Sequence, residues 1–100
     1  MGIRYPRHAG TFYKSKINDL NGQLRWCFEH RFGPGSIPKP SENVVKNTIA
    51  LVCPHAGYMY SGPVAAHAYY QLALDGKPDT VILLGPNHTG MGSALSIVNE

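Results

Sequence analysis

The sequence predicts an α/β fold, a mostly parallel sheet with flanking helices, and three observations carry that expectation. Residues 48–53 and 80–84 are continuous apolar runs, which is the pattern of strands covered on both faces. Between them, apolar residues recur at helical spacing. Turn and cap residues separate the three pieces, giving the order strand, helix, strand of a right-handed parallel crossover.

Each element has a local justification. Residues 15–32 carry Ile17, Leu20, Leu24, Cys27 and Phe28 at steps of three and four, with Ser15 available as a cap and Gly33-Pro34-Gly35 as a stop. Residues 33–43 contain three prolines and two glycines, which deny both helix and ladder hydrogen bonds and so predict a loop. The run Thr48 to Cys53 ends at Pro54, and Thr80 to Leu84 ends at Gly85-Pro86. The helix between them presents Val64, Ala65, Ala68, Tyr69, Leu72 and Ala73, with Ser61 to cap it, Pro63 to begin it and Gly76 to end it. Ala94 to Val98 opens a third strand. Two helices do not cover both faces of a parallel sheet. Residues 1–100 are therefore expected to form part of a single α/β domain.

Composition narrows the function classes. At 43% hydrophobic and 15% charged, the chain is too apolar for disorder. Its longest apolar runs fall far short of the ~20 residues that cross a bilayer, and its first residues do not resemble a signal peptide. A cytoplasmic location is expected, with Cys27 and Cys53 as reduced thiols rather than a disulfide. Residues 1–46 hold eight cations against three anions, a net +5, and the remainder holds one against three, a net −2. The cations are spaced singly, an ordinary solvated surface rather than a nucleic-acid footprint. Phosphate-binding loops, dinucleotide fingerprints, serine elbows and paired Cys-x-x-Cys motifs are missing from the sequence. Asn87-His88-Thr89 fits a glycosylation sequon, a reading that needs a secreted protein.

In an open parallel sheet, ligands bind beyond the carboxyl ends of the strands. Two loops begin there, Pro54-His55-Ala56-Gly57-Tyr58-Met59-Tyr60-Ser61-Gly62 and Gly85-Pro86-Asn87-His88-Thr89-Gly90. Each carries a histidine just past its strand, so His55 and His88 are expected to face one cleft. Paired imidazoles suit a transition metal or a proton-transfer site. A third ligand is not evident: Cys53 lies awkwardly close to His55, and Cys27 belongs to the core face of the first helix. Thr11-Phe12-Tyr13 adds aromatic surface near Arg4 and Arg7. Tyr58 and Tyr60 add phenols to the first histidine loop, whereas His67 is expected to be solvent-facing or a satisfied core group.

Arg4-x-Pro6 with Ala9-Gly10-Thr11-Phe12-Tyr13, the segment from Pro54 to Gly62 followed by Ala65-Ala66, and Gly85-Pro86-Asn87-His88 together resemble the Memo family, also called component B of the AmmeMemoRadiSam system. The resemblance spans most of this chain and the N-terminal third or so of a family member. It implies a fold like that of the class III extradiol dioxygenases, of which residues 1–100 would be a partial domain. It also implies a metal site of two histidines and a cysteine, with iron or copper as the metal. His55 and His88 match the histidines; the family cysteine lies beyond residue 100, and neither Cys27 nor Cys53 matches it. The family pocket uses an aromatic at the position of Phe12 and a tyrosine at that of Tyr60. Animal members are linked to phosphotyrosine peptides, metal-dependent redox chemistry and cell motility. Microbial members are associated with a radical S-adenosylmethionine protein and an AMMECR-like protein.

The expectation from the whole sequence is a metal-dependent, redox-active or dioxygenase-like protein. His55 and His88 are its metal ligands, and Phe12, Tyr58, Tyr60 and Asn87 line the substrate site. The rival is a non-catalytic module that captures an anionic peptide, a phosphopeptide included, or a protein partner in the same cleft, using Arg4, Arg7 and the histidine loops as donors.

Overall fold

The computed structural model describes residues 3, 5–45 and 47–95. Arg4 and residues 96–98 of the expected third strand lie outside them. Two helices form the ordered framework, α1 (Ile17–Glu29) and α2 (Tyr58–Leu74), packed on each other. Their crossing is set by a small residue against a sulfur. Cys27 and Gly62 are both buried, and a Cβ on Gly62 would collide with Cys27 Sγ. The helices thus approach closely because position 62 has no side chain. Ala66, one turn further along α2, is the other deeply buried apolar residue at 3% exposure.

The helix ends differ from the sequence expectation in instructive ways. Lys16 occupies the cap position of α1, without a side-chain cap bond, so Ser15 does not serve. At the other end, the His30 amide donates to the Trp26 carbonyl and the Gly35 amide to the Phe28 carbonyl, with Gly35 at φ 90°. The glycine there closes the helix end in a conformation that L side chains rarely adopt. Helix α2 begins five residues before the expected start, so Pro63 lies inside it. As the sixth helical residue Pro63 cannot donate to the Met59 carbonyl, a loss that its burial beside Gly62 offsets. The buried face of α2 is Gly62, Pro63 and Ala66, while Val64 and Tyr69 of the expected apolar face are exposed.

The α/β expectation is overturned. Among the described residues there is no strand and no sheet; one isolated bridge joins Ala9 and Tyr13. The runs 48–53 and 80–84 are present but unpaired, with Ile49, Val52 and Leu84 at 100%, 98% and 94% exposure. The physical reason is that a helix closes its own hydrogen bonds whereas a strand borrows them from a neighbour. Continuous apolarity records that a segment suits burial; it supplies no pairing partner. The extradiol-dioxygenase-like parallel sheet is accordingly not the architecture of these residues.

What replaces a sheet as the support for the loops is the C-terminal end of α2. Asp75 is 8% exposed, and its carboxylate accepts the Thr48 amide at 2.7 Å and the Gln71 side-chain amide at 3.4 Å. Its backbone carbonyl accepts the Val45 amide at 2.9 Å, and Ala73 O accepts the Ser41 amide at 2.9 Å. A carboxylate at a helix C-terminus is poorly placed for the helix dipole. The hydrogen bonds more than offset that, holding the Asp75 carboxyl below the ordinary aspartate range, with Thr48 the main cause. The chain running toward His55 is thereby pinned to α2 at its start.

Candidate metal centre

The first histidine loop is held from both sides. The Ala56 carbonyl accepts Ser61 Oγ at 3.1 Å, and Gly57 O accepts the amides of Tyr60 and Ser61 as α2 begins. The Tyr58 amide donates to Phe12 O at 2.9 Å, so the N-terminal turn caps α2 with a backbone carbonyl in place of a side chain. That turn is itself closed by the Thr11 and Phe12 amides on the His8 carbonyl, with Gly10 at φ 87°. Gly57 is buried because the Phe12 backbone lies against it: a Cβ there would sit 3.2 Å from Phe12 O. A side chain there would require the Phe12 backbone to give by a few tenths of an ångström.

His55 and His88, 33 residues apart in sequence, meet in space. Their Nε2 atoms are 2.9 Å apart, with ring centroids at 5.1 Å and planes at 48°. Both rings are exposed to solvent. A hydrogen bond at that distance needs one ring protonated at Nε2 and the other bare there. The same separation fits a shared ion: two ligands at right angles with bonds of ~2.0–2.1 Å stand about 2.9 Å apart. Neutral imidazole nitrogens suit iron and copper, so the donors present fit such a metal as two of its ligands. Among the described residues there is no group of three His, Cys, Asp or Glu side chains placed to hold a metal ion. Cys53 is a half-buried free thiol and does not join the pair. Cys27 is buried at the helix crossing, donates weakly to Tyr58 O at 4.0 Å, and its thiol is pushed up by burial. That is the environment of an inert structural cysteine.

The expected substrate-lining residues fall in different settings. Tyr60 is 87% exposed in the first turn of α2, and Phe12 is 50% exposed on the turn that caps it. Phe12 packs edge-on against His8 at 5.1 Å. Tyr58 is half-buried and packs on Tyr13 at 5.4 Å. Burial, with smaller contributions from Tyr69, Tyr13 and Cys27, raises its phenol above the ordinary range, so it stays protonated. Asn87 turns its side chain into its own loop, where Oδ1 accepts the amides of Thr89 and Gly90 and the Thr89 hydroxyl. Arg7 is exposed, and His67 hydrogen-bonds Phe32 O at 3.0 Å. Residue-by-residue reading missed the Phe12 carbonyl, which no side-chain motif announces. It also missed the Asn87-Thr89 turn, whose signal, an asparagine two residues before a threonine and three before a glycine, was legible as an Asx turn.

A family model described as Memo-like protein matches residues 4–100. The chain belongs to the Memo-like family. A MEMO1 family protein of Sulfurisphaera tokodaii is 56% identical over 96 residues, covering 95% of this chain and 34% of the relative. Those of Desulfurococcus amylolyticus and Aeropyrum pernix are 50% and 51% identical over 100 residues, covering 35% and 36% of the relatives. The chain thus spans about a third of the length of the Memo relatives it matches. No solved structure matches it significantly. Among the described residues, no helix is long and apolar enough to cross a membrane.

Proposed function

We propose that this Memo-family chain contributes two ligands, His55 and His88, to an iron or copper site of a redox or dioxygenase-like protein. The observation that carries the reading is the 2.9 Å approach of the two Nε2 atoms on an exposed rim. Bound there, such a metal supplies a Lewis-acidic, redox-active centre with positions open to a substrate. The third ligand in this reading is a family cysteine beyond residue 100, consistent with relatives about three times as long as the matched segment.

The chain's own residues have separable tasks. His55 and His88 must present bare Nε2 atoms, which places the remaining ring proton of each at Nδ1. Phe12 and Tyr60 are assigned to the substrate pocket on the family resemblance; both are exposed, and an apolar ring and an exposed phenol suit an aromatic or anionic substrate. Tyr58, assigned to the same pocket, packs on Tyr13. A radical S-adenosylmethionine protein and an AMMECR-like protein are the partners proposed on the family resemblance.

The test is a titration of the chain, made without a polyhistidine tag, with Cu(II) and with Fe(II) under anaerobic conditions. One ion per chain is expected, with affinity reduced roughly tenfold or more in His55→Ala and in His88→Ala. Equal binding by the wild-type chain and the double variant would remove the metal reading.

A further inference from the structure

The His88 loop poses a physical problem. Residues 85–92 are exposed throughout and belong to neither helix, yet His88 is aimed within 2.9 Å of His55. An exposed loop without packing loses order readily, since fixing each residue costs conformational entropy. Some local interaction must hold the direction of the ring.

The interactions present converge on Asn87. Its Oδ1 accepts the Thr89 amide at 3.1 Å, the Thr89 hydroxyl at 3.0 Å and the Gly90 amide at 3.0 Å. Its Nδ2 donates to Met91 O at 2.8 Å. The Thr89 hydroxyl in turn accepts the Met91 amide at 3.2 Å. Gly90, at φ 68°, supplies the left-handed turn that brings these groups around. The asparagine carbonyl oxygen thus serves three donors with two lone pairs, and one of its two amide hydrogens is committed. In the sequence, His88 stands between Asn87 and Thr89, the two residues whose side chains form this cage.

We infer that Asn87 is a positioning residue: its carboxamide, with the Thr89 hydroxyl, pre-orders the loop so that His88 meets His55, and it does not serve as a substrate ligand. The inference rests on the proposal that the two histidines share a metal. Its physical content is pre-organisation, because a loop already ordered in the binding geometry spends less of its interaction energy on ordering. Outer residues that orient metal ligands typically matter 10–100-fold in affinity.

The experiment uses wild type, Asn87→Ala, Asn87→Asp, Thr89→Ser and His88→Ala, each titrated with Cu(II) and followed by amide exchange. Asn87→Ala is expected to weaken Cu(II) binding about tenfold. It should also speed exchange of the Thr89 and Gly90 amides and reduce the nitrogen couplings in the Cu(II) EPR spectrum from two to one. Thr89→Ser, which keeps the hydroxyl, should behave as wild type in both. Asn87→Asp keeps the acceptor oxygen and should restore protection of the Thr89 and Gly90 amides. Global unfolding alone would not reproduce that pattern of rescue or the loss of one nitrogen coupling. Wild-type affinity with two nitrogen couplings in Asn87→Ala overturns the inference, whether or not the loop amides exchange faster. Cu(II) binding by His88→Ala equal to wild type would overturn the metal reading instead, and loop amides unchanged in Asn87→Ala would overturn the cage independently of any metal.

Discussion

The helical pair and the two apolar runs are both rich in apolar residues, the runs more so, yet they meet opposite fates. Helices α1 and α2 bury Cys27, Gly62, Pro63 and Ala66 against each other, while Ile49, Val52 and Leu84 stand in solvent. The difference teaches where each kind of element gets its hydrogen bonds. A helix completes its ladder within one segment and needs only an apolar face to dock. An extended segment remains unfinished until another lies about 4.8 Å away. The two histidines hang from the unpaired segments, so their meeting depends on loop chemistry and on anchors to α2 rather than on a sheet.

The most damaging way to break the helical side of this comparison is to fill the crossing. Gly62→Ala places a methyl group against Cys27 Sγ. Overpacking of this kind costs about 1–3 kcal/mol, against a gain of roughly 1 kcal/mol from replacing a helical glycine with alanine. A net loss of up to about 2 kcal/mol is expected in denaturant unfolding monitored by helical circular dichroism. In a Cys27→Ala background the sulfur is gone, and the same Gly62→Ala change should become stabilising by roughly 1 kcal/mol. If the sign fails to reverse, the sulfur contact does not limit the helix approach.

The helices were legible in the sequence because their signals are local. The 3.6-residue spacing through Leu20, Leu24 and Cys27 located α1, and Gly35 marked its end. The boundary of α2 was missed because Pro63 ordinarily marks a first turn, and here burial outweighs its lost hydrogen bond. The sheet was misread because periodicity reports covering, not pairing. For the site, the position of a histidine after each apolar run was a useful guide, and the rings do meet at 2.9 Å. The supports were less visible. Phe12 acts through its carbonyl, and Asp75 through a contact with Thr48, 27 residues away, neither of which a side-chain pattern encodes.

The Asp75 anchor links the two regions, and acidity should sever it. A carboxyl held below its unfolded range, ~3.9 for aspartate, adds stability at pH values above that range. The contribution is lost as the pH falls through the lower folded value, when protonation weakens the acceptor facing Thr48. Melting temperature should therefore drop on acidification below about pH 4. Asp75→Asn keeps an acceptor oxygen but has no proton to gain, so its melting temperature should depend less on pH across that window. Parallel pH slopes for the two proteins would show that the anchor does not titrate.

The smallest expected effect tests the extended side. A lysine at position 52 or 84 would be ruinous inside a two-faced sheet, because burying an unpaired charge is severely unfavourable. In this structure Val52 and Leu84 are 98% and 94% exposed, so the same change removes almost no buried contact. Val52→Lys and Leu84→Lys should each alter unfolding free energy by no more than about 0.5 kcal/mol, the range for surface substitutions. Amides of residues 49–53 and 81–84 should exchange near their intrinsic rates, while those around Ala66 exchange slowest, because protection follows burial and closed hydrogen bonds. A loss of several kcal/mol from either lysine, with protected amides in both runs, would mean that these segments pair in solution, and the distinction between the two regions would vanish.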